Sequence, residues 1–276
     1  MYSSRSIARS LHAHLWQSRS DRPVQYFSPR VLQENYWCFL SGFVSYAVKA
    51  NPYSLVLEYR AAAGLTTLDL ASPVEMQVVR VAVPHAVLHY HNPVRSLVEI
   101  DVTKRFGVRS WSVDSQADLD KLGAVPLGAE IAVRLHVPVA GEPYNFGTTS
   151  GAIPAQVATL LRSAQQRGLT PSLTFQFGTQ CNAPATWVCY IEVAHAVSQP
   201  AGIWLDRLNV GSGFTVLRDH QAPNLKRVFG QISARIKALF GAESPALVCE
   251  PGRAMVASAF TLVLQFKALC GLRTVF

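Results

Sequence analysis

Lys49 closes a short apolar run, VSYAVKANPY over residues 44–53, and Asn51 and Pro52 follow it at once. An ammonium aimed inward from such a run is expensive unless it is paired or chemically changed. A partly desolvated lysine suits one reaction in particular, imine formation with an aldehyde. Far along the chain, NVGSGF (209–214) sets Gly211 and Gly213 one residue apart, and CEPGR (249–253) adds Gly252 and Arg253. Glycines let backbone N–H groups approach an anion closely, and a guanidinium beside them fits phosphate. Glu250, in the second of these segments, adds a carboxylate.

These residues need a frame that brings distant segments together. Eight β-rich runs are legible: 44–50, 66–71, 86–91, 110–114, 131–137, 172–178, 205–211 and 246–252. Between them lie helical patterns at 54–64, 73–82, 115–123, 155–168 and 224–241. The alternation predicts an α/β fold, a parallel (β/α)8 barrel of the TIM type, with a doubly wound open sheet as the alternative. In such a barrel the chemistry sits at the C-terminal ends of the strands. Lys49, Asp69, His89, Asn92, Arg134, Gln176, the Gly211–Gly213 turn and the Glu250–Arg253 segment all fall at those ends in the predicted frame. The loops after the last two strands are a common seat for phosphate. An aldehyde with a phosphate tail and a ring nitrogen in need of a charged partner describes pyridoxal 5′-phosphate (PLP).

Composition narrows the alternatives. The chain has 276 residues, 49% hydrophobic and 15% charged, enough for a large core. Its net charge of +8 comes from scattered Lys and Arg with no long basic run, which argues against nucleic acid and fits an anionic small molecule. No apolar stretch of membrane-spanning length is present, so no membrane association is expected. Five cysteines, an odd number without a CxxC, fit reduced thiols and a cytoplasmic setting. His89 and His91 flank Tyr90 in a spacing that can ligate metal, but the pair reads as a solvated strand end, and no metal is expected.

The segments YAVKANP, LDLASPVEMQ, HNPVRS, RSWSVDSQADLDKL, NVGSGF and CEPGRAMVASAFTL occur in that order. Together they resemble the barrel domain of the PLP-dependent ornithine/diaminopimelate/arginine decarboxylases, which share the alanine-racemase type of barrel, and ornithine-type members most of all. The resemblance implies that Lys49 holds PLP as an imine and that Glu250 pairs with its pyridine nitrogen. It implies that Gly213, Gly252 and Arg253 bind the phosphate, with Ser212 nearby. Asp69 and Glu75 match acidic positions around the cofactor and lysine, and Arg134 matches an arginine near the ring. The implied reaction is loss of the α-carboxylate of a basic amino acid, giving a diamine for polyamine synthesis, in a homodimer.

Several positions depart from that pattern. Gln176 stands where the family stacks a histidine on the ring, and Thr179 replaces a serine. Asn145 replaces a lysine, and Asn209 an aspartate before the glycine turn. After ASAFTLVLQ (257–265) the family continues into a C-terminal β-domain whose cysteine and acidic residue serve the partner's site. Residues 266–276, Cys270 included, do not match that continuation. The expected organisation is an N-terminal arm (1–26), a PLP-binding barrel (27–264) and a tail (265–276) that is a truncated start of the β-domain or a non-family segment. Those departures support a second expectation, a noncatalytic homologue that binds a partner protein.

Overall fold

Ser45 interrupts the run that carries Lys49, and that interruption is where the sheet closes. The computed structural model describes residues 22–37, 39, 42–137, 150–181, 183–216, 224–264, 268–270 and 273–275. The chain runs β1 (Val24–Phe27), α1 (Pro29–Trp37), β2 (Phe43–Val44), β3 (Tyr46–Ala47), α2 (Ser54–Ala62), β4 (Thr67–Leu70) and α3 (Pro73–Ala82). It continues with β5 (Val87–Tyr90), α4 (Leu97–Arg105), β6 (Ser110–Val113), α5 (Gln116–Lys121), β7 (Glu130–Leu135), α6 (Pro154–Gln166) and β8 (Thr170–Phe175). Then follow α7 (Pro184–Ser198), β9 (Arg207–Asn209), α8 (Leu225–Phe240), β10 (Ala246–Cys249), α9 (Arg253–Val256), β11 (Phe260–Val263), β12 (Ala268–Cys270) and β13 (Arg273–Val275).

The main sheet has the order β2-β10-β9-β8-β7-β6-β5-β4-β3, and its pairings are parallel. Its two ends, β2 and β3, are consecutive pieces of one extended segment, so the sheet meets itself. Backbone N–H groups of Ser45 and Ala47 donate to the carbonyls of Cys249 (2.9 Å) and Pro251 (3.2 Å) across that seam. The result is an α/β barrel, as the alternation of runs predicted, rather than an open sheet.

Between the strands and the surrounding helices lies the apolar core, with Trp111, Ile131, Val133, Leu173, Phe175, Trp187 and Tyr190 fully or almost fully buried. The barrel interior is different. Ser45, Asp69, His89, Ser110, Ser112, Ser172, Thr174 and Asn209 are all buried polar residues on barrel strands or, for Ser45, between two of them. Small polar groups in a buried sheet are costly unless they serve one another or a ligand.

Helix starts carry their own signals. Ser72, Ser96 and Ser115 each accept the backbone N–H three residues on, and Ser96 with Glu99 completes a capping box. Three helices were not anticipated: α1, α4 and α7. In α7, Trp187, Tyr190, Ile191 and Ala194 are buried at helical spacing, but Val188, Cys189 and Val193 on its other faces are also partly covered. A helix apolar on most sides shows little contrast for a periodicity argument to use.

Part of the stretch expected as an arm is a strand, since β1 pairs antiparallel with β11 and stacks Phe27 on Phe260 with ring centres 5.0 Å apart. In the stretch expected as a tail, β12 and β13 form an antiparallel pair. Among the described residues no helix is long and apolar enough to cross a membrane, and Cys181, Cys189 and Cys249 are free thiols.

Candidate functional site

Lys49 sits on a single 3-10 turn, Val48–Ala50, just past the end of β3. The turn is held from both sides. The Tyr46 hydroxyl donates to the Asn51 carbonyl at 3.0 Å, and the Asn51 side chain accepts the Tyr53 N–H at 3.0 Å. Arg60 lies over the Tyr46 ring and donates to the Met255 carbonyl at 2.6 Å, tying α2 to α9. The CEPGR segment is pressed against the same turn. A Cβ added at Gly252 would stand 3.0 Å from the Cβ of Ala50 and 3.4 Å from that of Ala47. Any larger residue at 252 would push the two segments apart by a few tenths of an ångström.

The lysine itself corrects one expectation. Lys49 is exposed, not partly desolvated, because the turn projects it at the rim rather than from the strand. Its charge still reaches inward and favours the ionised forms of both Asp69 and Glu250. Asp69 and Glu250 are 4% and 1% exposed.

Glu250 is the centre of the interior network. His91 Nδ1 is in direct, short hydrogen-bond contact with Glu250 Oε1. Asn209 Nδ2 donates to the same oxygen at 2.5 Å, and Gln176 Nε2 donates to Oε2 at 2.7 Å. The other ring nitrogen of His91 meets Ser110 Oγ at 2.7 Å. Asp69 Oδ1 stands 3.9 Å from His91 Nδ1 and has no hydrogen-bond partner. Asp69 and His89 are register partners across β4 and β5, as are His89 and Ser110 across β5 and β6.

Burial opposes charge on both members of the central pair, but each is the other's answer. Burial works against the His91 imidazolium, yet the charge and hydrogen bond of Glu250, with Asp69 behind them, carry its pKa up to about 9. Burial likewise works against the Glu250 carboxylate, and His91, Asn209 and Lys49 hold it well below the usual range. Asp69 is pushed up by burial and then by the Glu250 charge. His89 is held neutral, by burial first and then by His91.

A stability prediction follows from His91. The folded chain keeps this proton up to about pH 9, whereas an unfolded chain releases it near 6.5. The group therefore contributes fully below pH 6.5, and its contribution is lost as pH rises through 9. We expect urea-melt stability to fall by on the order of 3 kcal/mol between pH 6 and 10 from this group. His91→Asn should flatten that slope; an unchanged slope would place the titration elsewhere.

The remaining expected residues are distributed around this centre. Gln176, one residue past β8, bridges Glu250 to Ser212, whose hydroxyl donates to Gln176 Oε1 at 2.9 Å. Ser212 thus bonds Gln176 in this structure. Gly211 and Gly213 have φ of +68° and +88°. A Cβ at Gly211 would lie 2.1 Å from the Phe175 carbonyl oxygen, so the turn demands glycine there. Arg134 lies on β7, part-buried, with Nε unpartnered; burial lowers its pKa, while Glu250 and Asp114 favour its charge. Arg253 is exposed at the start of α9. Glu75 caps α3, with Oε2 accepting the Ala71 N–H at 2.8 Å. Asn145 lies outside the described residues.

The sequence reading underrated His91. His89 and His91 do not form a solvated strand end: His89 is 3% exposed and the His91 side chain 5%. The HxH spacing itself was the missed signal, because alternation along a strand sends both rings to one face. Asp69, His91 and Glu250 offer possible ligand atoms within 4.8 Å of one another. The direct His91–Glu250 bond makes the trio a paired charge network.

The chemistry of these groups fits a cofactor that carries an aldehyde, a ring nitrogen and a phosphate. An accessible amine at the rim acts electrostatically on two buried carboxylates. Asp69 Oδ1 and Arg134 Nε, both buried, lack hydrogen-bond partners, and Gly252 lies against the lysine turn.

Comparison with known proteins agrees with this. The family described as pyridoxal-dependent decarboxylase, pyridoxal binding domain, matches residues 31–257. A lysine/ornithine decarboxylase of Selenomonas ruminantium is 30% identical over 227 residues, 80% of this chain and 57% of that protein. Ornithine decarboxylase of Mus musculus is 28% identical over 229 residues, 81% of this chain and 49% of that protein. The crystal structure of lysine decarboxylase from Selenomonas ruminantium superposes with a TM-score of 0.78 at 26% identity, over 98% of this chain and 73% of that one. The chain spans about half the length of the curated relatives it matches.

Proposed function

The chain belongs to the PLP-dependent decarboxylases of ornithine, lysine and arginine, and from that premise we propose that it takes part in decarboxylating a basic amino acid, ornithine first, to a diamine. The observation that carries this reading is the convergence of Lys49, Asp69 and Glu250, three ionisable groups at the strand ends that influence one another's charge. PLP, when bound, supplies an aldehyde for an amine and a ring that draws electrons from the substrate's α-carbon.

The chain's own residues would do the rest. Lys49 would hold the aldehyde carbon and Glu250 would face the ring nitrogen. Gly213, Gly252 and Arg253 would bind the phosphate, with Ser212 beside them. Asp69, Arg134 and Gln176 would line the ring, and the donors around Glu250 would keep water from it. A homodimer and a cytoplasmic setting belong to the same proposal, as does a division into a barrel over 27–264 flanked by an arm and a tail.

A second reading has its own support. Three donors already occupy the Glu250 carboxylate, and Gln176 offers the ring neither an aromatic face nor a titrating group. A noncatalytic homologue that binds a regulatory partner would tolerate both. The assay that separates the readings gives the PLP-loaded chain ornithine, lysine and arginine in turn and measures CO2 and diamine. Release from at least one substrate supports the enzyme. No release from any of the three, with PLP bound, overturns it in favour of the second reading.

A further inference from the structure

The network around Glu250 leaves a specific problem for any ring nitrogen that approaches it. Oε1 already accepts from His91 and Asn209, and Oε2 accepts from Gln176. A carboxylate has about four acceptor positions, so one remains. Its charge is also spoken for. His91 has both ring nitrogens engaged, with Glu250 on one side and the Ser110 hydroxyl, which can accept as well as donate, on the other, so an imidazolium here has an acceptor for each of its protons. A protonated pyridine at the same carboxylate would set a second cation beside the first.

The groups facing His91 from the neighbouring elements do not relieve this. Asp69 on β4 could answer a second cation, but burial and the Glu250 charge both favour its neutral form. His89 on β5 is neutral, and Ser110 on β6 and Asn209 on β9 are uncharged. Arg134 on β7 and Lys49 beyond β3 add positive charge. Glu130 on β7 favours the imidazolium from further away, and it is itself paired with Arg207 at 2.9 Å.

We propose that His91 is a positioning residue that holds the Glu250 carboxylate for itself and so keeps the ring nitrogen of the bound cofactor unprotonated near neutral pH. The inference rests on the cofactor reading above. It assigns this chain a weaker electron-withdrawing ring than one whose nitrogen carries a proton, and it makes His91 the residue that sets that property.

The test loads the chain with PLP labelled with 15N in the ring and records the nitrogen's chemical shift at pH 7. The wild-type chain is expected to give the free-base position, and His91→Ala and His91→Asn the pyridinium position. A pyridinium signal in the wild type, or a free-base signal in all three, overturns the role of His91 while leaving the cofactor in place. Should a variant fail to fold, the wild-type signal decides. If the wild type retains no PLP at all, the cofactor reading fails first and this inference falls with it.

Discussion

Glu250→Gln is expected to cost the folded chain about 3–5 kcal/mol at pH 6, the range for breaking a buried ion pair by removing one partner. The substitution keeps the size of the side chain, so a cavity contributes little. What it removes is the charge that answers the His91 imidazolium, and one of its two acceptor oxygens becomes a donor. His91, Asn209 and Gln176 all donate to this carboxylate, so at least one of them loses its acceptor. The loss should shrink toward pH 10, because the wild-type chain has then given up the His91 proton as well. Urea melts of both chains at the two pH values measure this. An equal loss at both would mean that the pair is not held by charge.

Lys49→Ala is expected to do the opposite. It should leave stability within about 0.5 kcal/mol, as for an exposed side chain without a structural partner. Yet it should abolish both retention of PLP through gel filtration after borohydride treatment and any release of CO2. Lys49 is the lysine whose charge favours the ionised forms of both Asp69 and Glu250. A variant that kept turnover would remove Lys49 from the chemistry.

The frame was highly legible because parallel βα units repeat a coarse signal. All eight barrel runs became strands within a few residues of their expected ends, and Pro73–Ala82 became a helix with the expected bounds. What escaped was of two kinds. Helix α7 is apolar on most sides, so its period carried no contrast. Strand β8 stops at Phe175, which leaves Gln176 on the following loop, free to turn toward Glu250 and Ser212.

Within the site, residues tied to a turn or a motif were readable one by one: Lys49, the two glycines of NVGSGF, and Glu250. The partnership of His91 with Glu250 was not. The two lie 159 residues apart, and no local pattern announces a contact made only when the barrel closes. Departures noted singly in sequence, Gln176 and Asn209, turn out to address the same carboxylate as His91. Three donors converging on Glu250 are one structural fact, visible only in three dimensions. The exposure of Lys49 was also hidden, since an apolar run does not reveal whether its last residue stays in the strand or rides on a turn.

The most direct test of the central claim is where the cofactor becomes fixed. PLP is added to the purified chain, the adduct is reduced with borohydride, and proteolytic peptides are mapped by mass spectrometry. The account predicts a phosphopyridoxyl group on Lys49, and its absence from Glu250→Gln would not be required. A label carried by Lys104 or Lys121 instead, or no label on any lysine, would contradict it.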